Sequence, residues 1–135
     1  MAKAKTVTTR LSRATDLWVE HEARRTGRPK ITIVASLVEE AARMRRFPGI
    51  AFRGPDDDRR AWLPGAGFDV WQLIEAYQGM GPVRFQEEGD IPERQIKLAL
   101  AYYEDYPEEI DRAIAANQLS QEELHILYPT VIPKP

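Results

Sequence analysis

The chain has 135 residues, no cysteine and a formal net charge of −2. That length gives room for one medium domain or two small ones. The missing cysteines exclude disulfides, thiolate metal sites and cysteine nucleophiles, and no run approaches the roughly 20 apolar residues of a membrane span. The charge is held unevenly. Residues 1–54 carry 12 Lys/Arg against 5 Asp/Glu, a net of +7, and residues 55–135 carry 7 against 16, a net of −9. A basic segment attracts a phosphate backbone through neutralisation and counterion release, and an acidic one repels it. Two modules with different partners are therefore expected. The opening "MAKAKTVTTRLSR" lacks the apolar core of a signal peptide, so a soluble cytoplasmic protein is expected.

"KTVTTRLS" (Lys5 to Ser12) alternates with period two, which predicts a short strand with Val7, Thr9 and Leu11 on one face. Thr6, Thr8 and Arg10 fall on the other. Ser12 is placed to cap a helix running to Thr26, which Gly27 ends. A second helix is predicted over Thr32–Arg46, with Val34, Leu37, Val38, Ala41 and Met44 as its buried stripe. Pro48 and Gly49 close it. One strand and two helices cannot enclose a core by themselves at this size, so an intertwined homodimer is expected.

"GIAFRGPDDDRRAWLPGAG" (Gly49 to Gly67) predicts a hairpin of Ile50–Arg53 and Arg60–Leu63 around a solvated acidic turn. Three adjacent carboxylates on a turn diverge, which argues against a calcium loop. Asp69 with Gln72 forms a capping box for a helix whose inner side is Val70, Leu73, Ile74 and Tyr77. Pro82 opens a short helix, and Gly89 to Ile91 make a turn. Pro92 starts a longer helix with Ile96, Ala99, Leu100 and Tyr103 at the spacing of a buried face. That order is helix-turn-helix. Pro107 starts another helix ending near Asn117, and "SQEE" (Ser120 to Glu123) caps a last one to about Tyr128. The longer helix exposes Arg94, Gln95 and Lys97, residue types that reach into DNA grooves, among acidic neighbours. These three are secondary DNA-binding candidates, and the acidic surroundings favour a protein-contacting role for the helix. Leu124, Ile126, Leu127, Tyr128, Val131 and Ile132 form an apolar tail suited to a protein partner.

His21 and His125 are in no metal-ligand spacing, and no glycine-rich phosphate loop joins a strand to a helix. Neither an enzyme nor a cofactor is expected.

Across residues 5–46, "TVTTRLS", "EARRTGR" and "VASLVEEAARM" resemble the ribbon-helix-helix repressors. The first helix departs from that pattern, carrying its apolar stripe on Ala14, Leu17, Trp18 and His21, and Pro29 replaces the usual Ser or Thr cap. The resemblance implies a dimer whose ribbon enters the major groove. Its DNA-contacting set would be Lys5, Thr6, Thr8, Arg10, Arg28, Lys30 and Thr32. Residues 46–117, through "RRFPGIAFRG", "RRAWLPGAGFDVWQLIEAY" and "IPERQIKLALAYYEDYPEEID", resemble the small helix-turn-helix domain of unknown function found in VapB-like antitoxins. That resemblance implies an antitoxin that neutralises a PIN-like ribonuclease toxin and represses its own operon.

The expected fold is mainly α with short β elements. A ribbon-helix-helix-like module (1–47) precedes a β-hairpin and helix-turn-helix bundle (48–118) and a C-terminal helix and tail (119–135). The expected partners are operator DNA, the toxin and a second copy of the chain, with no membrane. A stand-alone transcription regulator and a dimeric adaptor without DNA are the alternatives.

Overall fold

A computed structural model describes residues 4–130. Among them the chain is mainly helical with a small antiparallel sheet, as its patterning predicts. It divides between Arg43 and Met44 into two compact units.

The first unit is a helix pair, α1 (Arg13–Thr26) and α2 (Lys30–Arg46), the last turn of α2 belonging to the second unit. Ser12 caps α1 by accepting from the Thr15 N–H at 3.3 Å, and Gly27 ends it at φ 69°. That left-handed conformation costs glycine nothing. α2 begins two residues before the predicted Thr32. The Pro29 carbonyl accepts from the N–H groups of Thr32 and Ile33 at 3.0 and 3.3 Å, replacing the side-chain cap. Between them the helices bury only Val19 and Ile33. The predicted stripe of α2 is otherwise placed. Val34 is half-buried, while Leu37, Val38, Ala41 and Met44 are exposed. A single pair of helices has one narrow seam, and these side chains lie outside it.

The second unit is built on the sheet β1 (Ala51–Arg53), β2 (Arg60–Leu63) and β3 (Phe68–Asp69), in that order, with Ala51 opposite Trp62 and Leu63 opposite Phe68. β3 is an addition to the predicted hairpin. Gly54 turns the hairpin at φ 112°, where a Cβ would come within 2.3 Å of the Asp58 carbonyl oxygen. Alternation puts Ala61 and Leu63 into the core and Arg60 and Trp62 on the opposite face.

Five helices complete the unit: α3 (Val70–Met80), α4 (Pro82–Glu88), α5 (Glu93–Asp105), α6 (Pro107–Asn117) and α7 (Gln121–Leu127). α3 is the central element, packing on α4, α5 and α6 through Val70, Leu73 and Ile74. On α5 the buried side chains are Gln95, Ile96, Ala99 and Tyr102, so the inward face is turned from the predicted one, and Leu100 and Tyr103 are only half-buried. Tyr102 is fully enclosed. It meets Phe47 edge-on at 5.4 Å between ring centroids and donates its hydroxyl to Glu109 at 2.7 Å. The capping box on α7 forms as predicted, with Glu123 N–H donating to Ser120 Oγ and Ser120 N–H to the Glu123 carboxylate, both at 3.1 Å. No helix among the described residues is long and apolar enough to cross a membrane.

Candidate nucleic-acid and protein interfaces

The basic unit places its predicted contacts in three different settings. Lys5, Thr6, Thr8 and Arg10 are exposed on an arm that forms no strand within the single chain. A strand needs hydrogen bonds from a neighbouring strand, and the arm has none alongside it in one copy. Thr32 is exposed in the first turn of α2. Arg28 and Lys30 are engaged internally. Arg28 is half-buried and donates to Ser36 Oγ at 3.3 Å. Lys30 is ion-paired to Asp16, with Glu20 at 3.5 Å, and the hydrogen bond to Asp16 raises the ammonium above its ordinary range. A cation already paired within its own protein is less available to an outside anion, so of the two predicted lysines Lys30 is the more engaged.

The helix pair also leaves large apolar side chains uncovered. Leu17 and Trp18 on α1, and Ile31, Leu37 and Val38 on α2, are all at least two-fifths exposed. Two buried side chains are far too few to hold a helix pair of this length against its conformational entropy.

The acidic unit shows a different surface. Arg94 and Lys97 are exposed on α5, and Lys97 pairs with Glu93 one turn earlier at 3.4 Å. Gln95 is buried, which removes it from the predicted DNA-facing set. It lies four residues before Ala99 and seven before Tyr102, on the inward face. On α7, Leu124 is half-buried, while Ile126, Leu127 and Tyr128 are 69%, 57% and 56% exposed. Val131 and Ile132 lie outside the described residues.

A polar cluster that the sequence did not single out organises the sheet. Arg53 and Arg60 stand opposite each other across β1 and β2, a like-charge pair that is unfavourable alone. The buried carboxylate of Asp69 on β3 joins them. It accepts from Arg53 Nε at 2.8 Å, from Arg60 Nε at 3.0 Å and from Trp71 Nε1 at 3.1 Å. The Asp69 hydrogen bond raises the Arg60 guanidinium above its usual value. Arg53 also stacks over Trp62, 4.3 Å from the ring centroid. The Asp69 N–H donates to Gln72 Oε1 at 2.8 Å, the predicted return half of the capping box. Among the described residues no group of three or more His, Asp or Glu is arranged to hold a metal ion.

Compared with known proteins, the chain matches no family model, no curated protein and no solved structure.

Proposed function

We propose that this protein is the antitoxin of a toxin–antitoxin pair. In this reading it is a homodimer whose basic N-terminal arms bind its own operator and whose acidic C-terminal helices mask a PIN-like ribonuclease. The observation that carries it is the set of uncovered apolar side chains on α1 and α2, preceded in sequence by an exposed basic arm. A second copy would cover them, and the same association would bring two arms together as a ribbon. The toxin class comes from the resemblance of residues 46–117. It is supported by the net charge of −9 over residues 55–135 and by the bare apolar side of α7. The exposed α7 residues also favour this reading over a regulator without a toxin, which has no use for them. In the helix-turn-helix-ordered α4 and α5, the burial of Gln95 and the Glu93–Lys97 pair leave Arg94 as the one groove candidate without a partner among the described residues. DNA reading is therefore assigned to the arm.

Sedimentation of the full chain tests the dimer. Leu37→Ser with Val38→Ser should raise its dissociation constant by about two orders of magnitude, from the apolar area no longer covered. A wild-type chain that stays monomeric at micromolar concentration sinks the reading. Arg10→Ala should cost about 1–3 kcal/mol of operator affinity and relax preference at one base position. Lys5→Ala should instead weaken all DNA alike and reduce the salt slope by about one. Titration against the DNA upstream of the reading frame at several salt concentrations separates the two effects.

A further inference from the structure

The acidic unit contains a polar group that neither DNA nor toxin binding employs. Gln95 is only 5% exposed, and its Oε1 has no hydrogen-bond partner among the described residues. A buried amide oxygen without a donor is disfavoured unless something else satisfies it. Gln95 lines a cleft of about 540 Å³ together with Ile50, Pro64, Gly65, Arg94 and Leu98. That volume is in the range of small-ligand sites.

Two glycines give the cleft its shape. A Cβ on Gly65 would stand 2.6 Å from Gln95 Nε2, and one on Gly49, at φ 108°, would stand 2.7 Å from Leu98 Cδ2. A side chain at either position would have to displace the end of the Gln95 or Leu98 side chain. α5 starts here without a side-chain cap, its first bonds running from the Gln95 and Ile96 N–H groups to the Pro92 carbonyl. The backbone N–H groups of Glu93 and Arg94 precede those bonds and have no acceptor within the helix. Arg94 is the sole ionisable residue on the lining, and its guanidinium has no partner among the described residues. The start of α5 thus combines a positive helix end, an unpaired cation, an unsatisfied amide and apolar walls.

We propose that this cleft binds a carboxylate that carries a neighbouring amide and a small aliphatic group, the chemistry shared by a peptide C-terminus and an N-acyl amino acid. The carboxylate pairs with Arg94 at the start of α5. The Gln95 amide, after rotation about its soft terminal torsion, accepts from the ligand N–H and donates to the ligand carbonyl. The aliphatic group lies against Ile50, Pro64 and Leu98. This site is independent of the antitoxin reading and survives its failure.

Titration of the full-length protein with N-acetyl-leucine, followed by calorimetry and amide NMR, tests the site. A Kd on the order of 1 mM is expected for about a dozen heavy atoms at ordinary ligand efficiency. N-acetyl-leucinamide, which lacks the carboxylate, should bind about tenfold more weakly or worse, and Arg94→Gln should cost the same factor for N-acetyl-leucine. Gln95→Met should also weaken binding while melting no lower than wild type, because it removes an unsatisfied acceptor without changing the side chain's length. An acetylated tripeptide ending in leucine identifies the source. Tighter binding than N-acetyl-leucine assigns the cleft to chain termini, and equal binding assigns it to free acyl amino acids. Equal affinity for acid and amide, undiminished binding by Gln95→Met, or no saturation by concentrations on the order of 10 mM overturns the proposal.

Discussion

Replacing Asp69 with alanine is expected to lower the stability of the acidic unit by about 2–4 kcal/mol, and its melting temperature by more than about 10 °C. The carboxylate is 4% exposed and holds Arg53, Arg60 and Trp71 at once. Its removal leaves two guanidinium groups facing each other across β1 and β2, with only Arg60 still paired, to Asp58 at 2.7 Å. Both arginines are partly solvated, 40% and 35% exposed at their side chains, which keeps the loss below that of a fully buried pair. Asp69→Asn should lose less, because an amide oxygen still accepts from one arginine and Trp71. Trp62 and Trp71 both adjoin the cluster, so thermal unfolding followed by tryptophan fluorescence, in a Trp18→Phe background, reports on it. A loss below about 1 kcal/mol would mean that solvent replaces Asp69 without penalty, and the cluster would then not organise the sheet.

The second large effect is expected at the other end of the chain. Under the proposed antitoxin function, ending the protein at Gln118, or substituting Ile126→Ser, Leu127→Ser and Tyr128→Ser together, should weaken toxin binding about 100-fold or more. Buried aromatic and aliphatic anchors dominate such contacts, at about 2 kcal/mol or more for each strong one. These three side chains are more than half exposed, so the triple substitution removes a surface and not a core. Operator affinity should stay within about twofold, because α7 belongs to the acidic unit and the arm to the basic one. Co-purification with the toxin and an operator titration give the two numbers. The opposite pattern, with Arg94→Ala and Lys97→Ala abolishing operator binding while the truncated chain still neutralises toxin, would transfer DNA reading to α5.

What the sequence made legible was local chemistry. Ser12, Gly27, Pro82, Pro107 and the Ser120–Glu123 box mark helix ends through bonds made within a few residues of themselves, so each can be read from a short window. The helix faces were harder. Ile96, Ala99 and Tyr103 fit the period of α5 about as well as Gln95, Ala99 and Tyr102. A polar Gln95 fits the solvent side by type, which points to Tyr103 and not to the buried Tyr102. In the helix pair the apolar residues outnumber the places one copy can bury, so the pattern overstates the seam. The sheet cluster was invisible because Arg53, Arg60 and Asp69 are seven and nine residues apart in sequence. Only the strand register brings them to one face. For the same reason nothing local marked the cleft at Gln95, which needs two loops and a helix to exist.

The sheet's outermost strands bear on how this protein behaves when crowded. β1 has three residues between Pro48 and Pro55, and β3 has two. Exposed edges offer their unpaired N–H and C=O groups to any passing chain, and longer edges make better templates. Neither edge here spans enough residues to recruit a foreign strand, and a proline on either side prevents β1 from lengthening. Chains concentrated during synthesis therefore have little to gain by meeting sheet to sheet. The short, proline-flanked edges of this sheet thus give open-ended fibre growth little to start from.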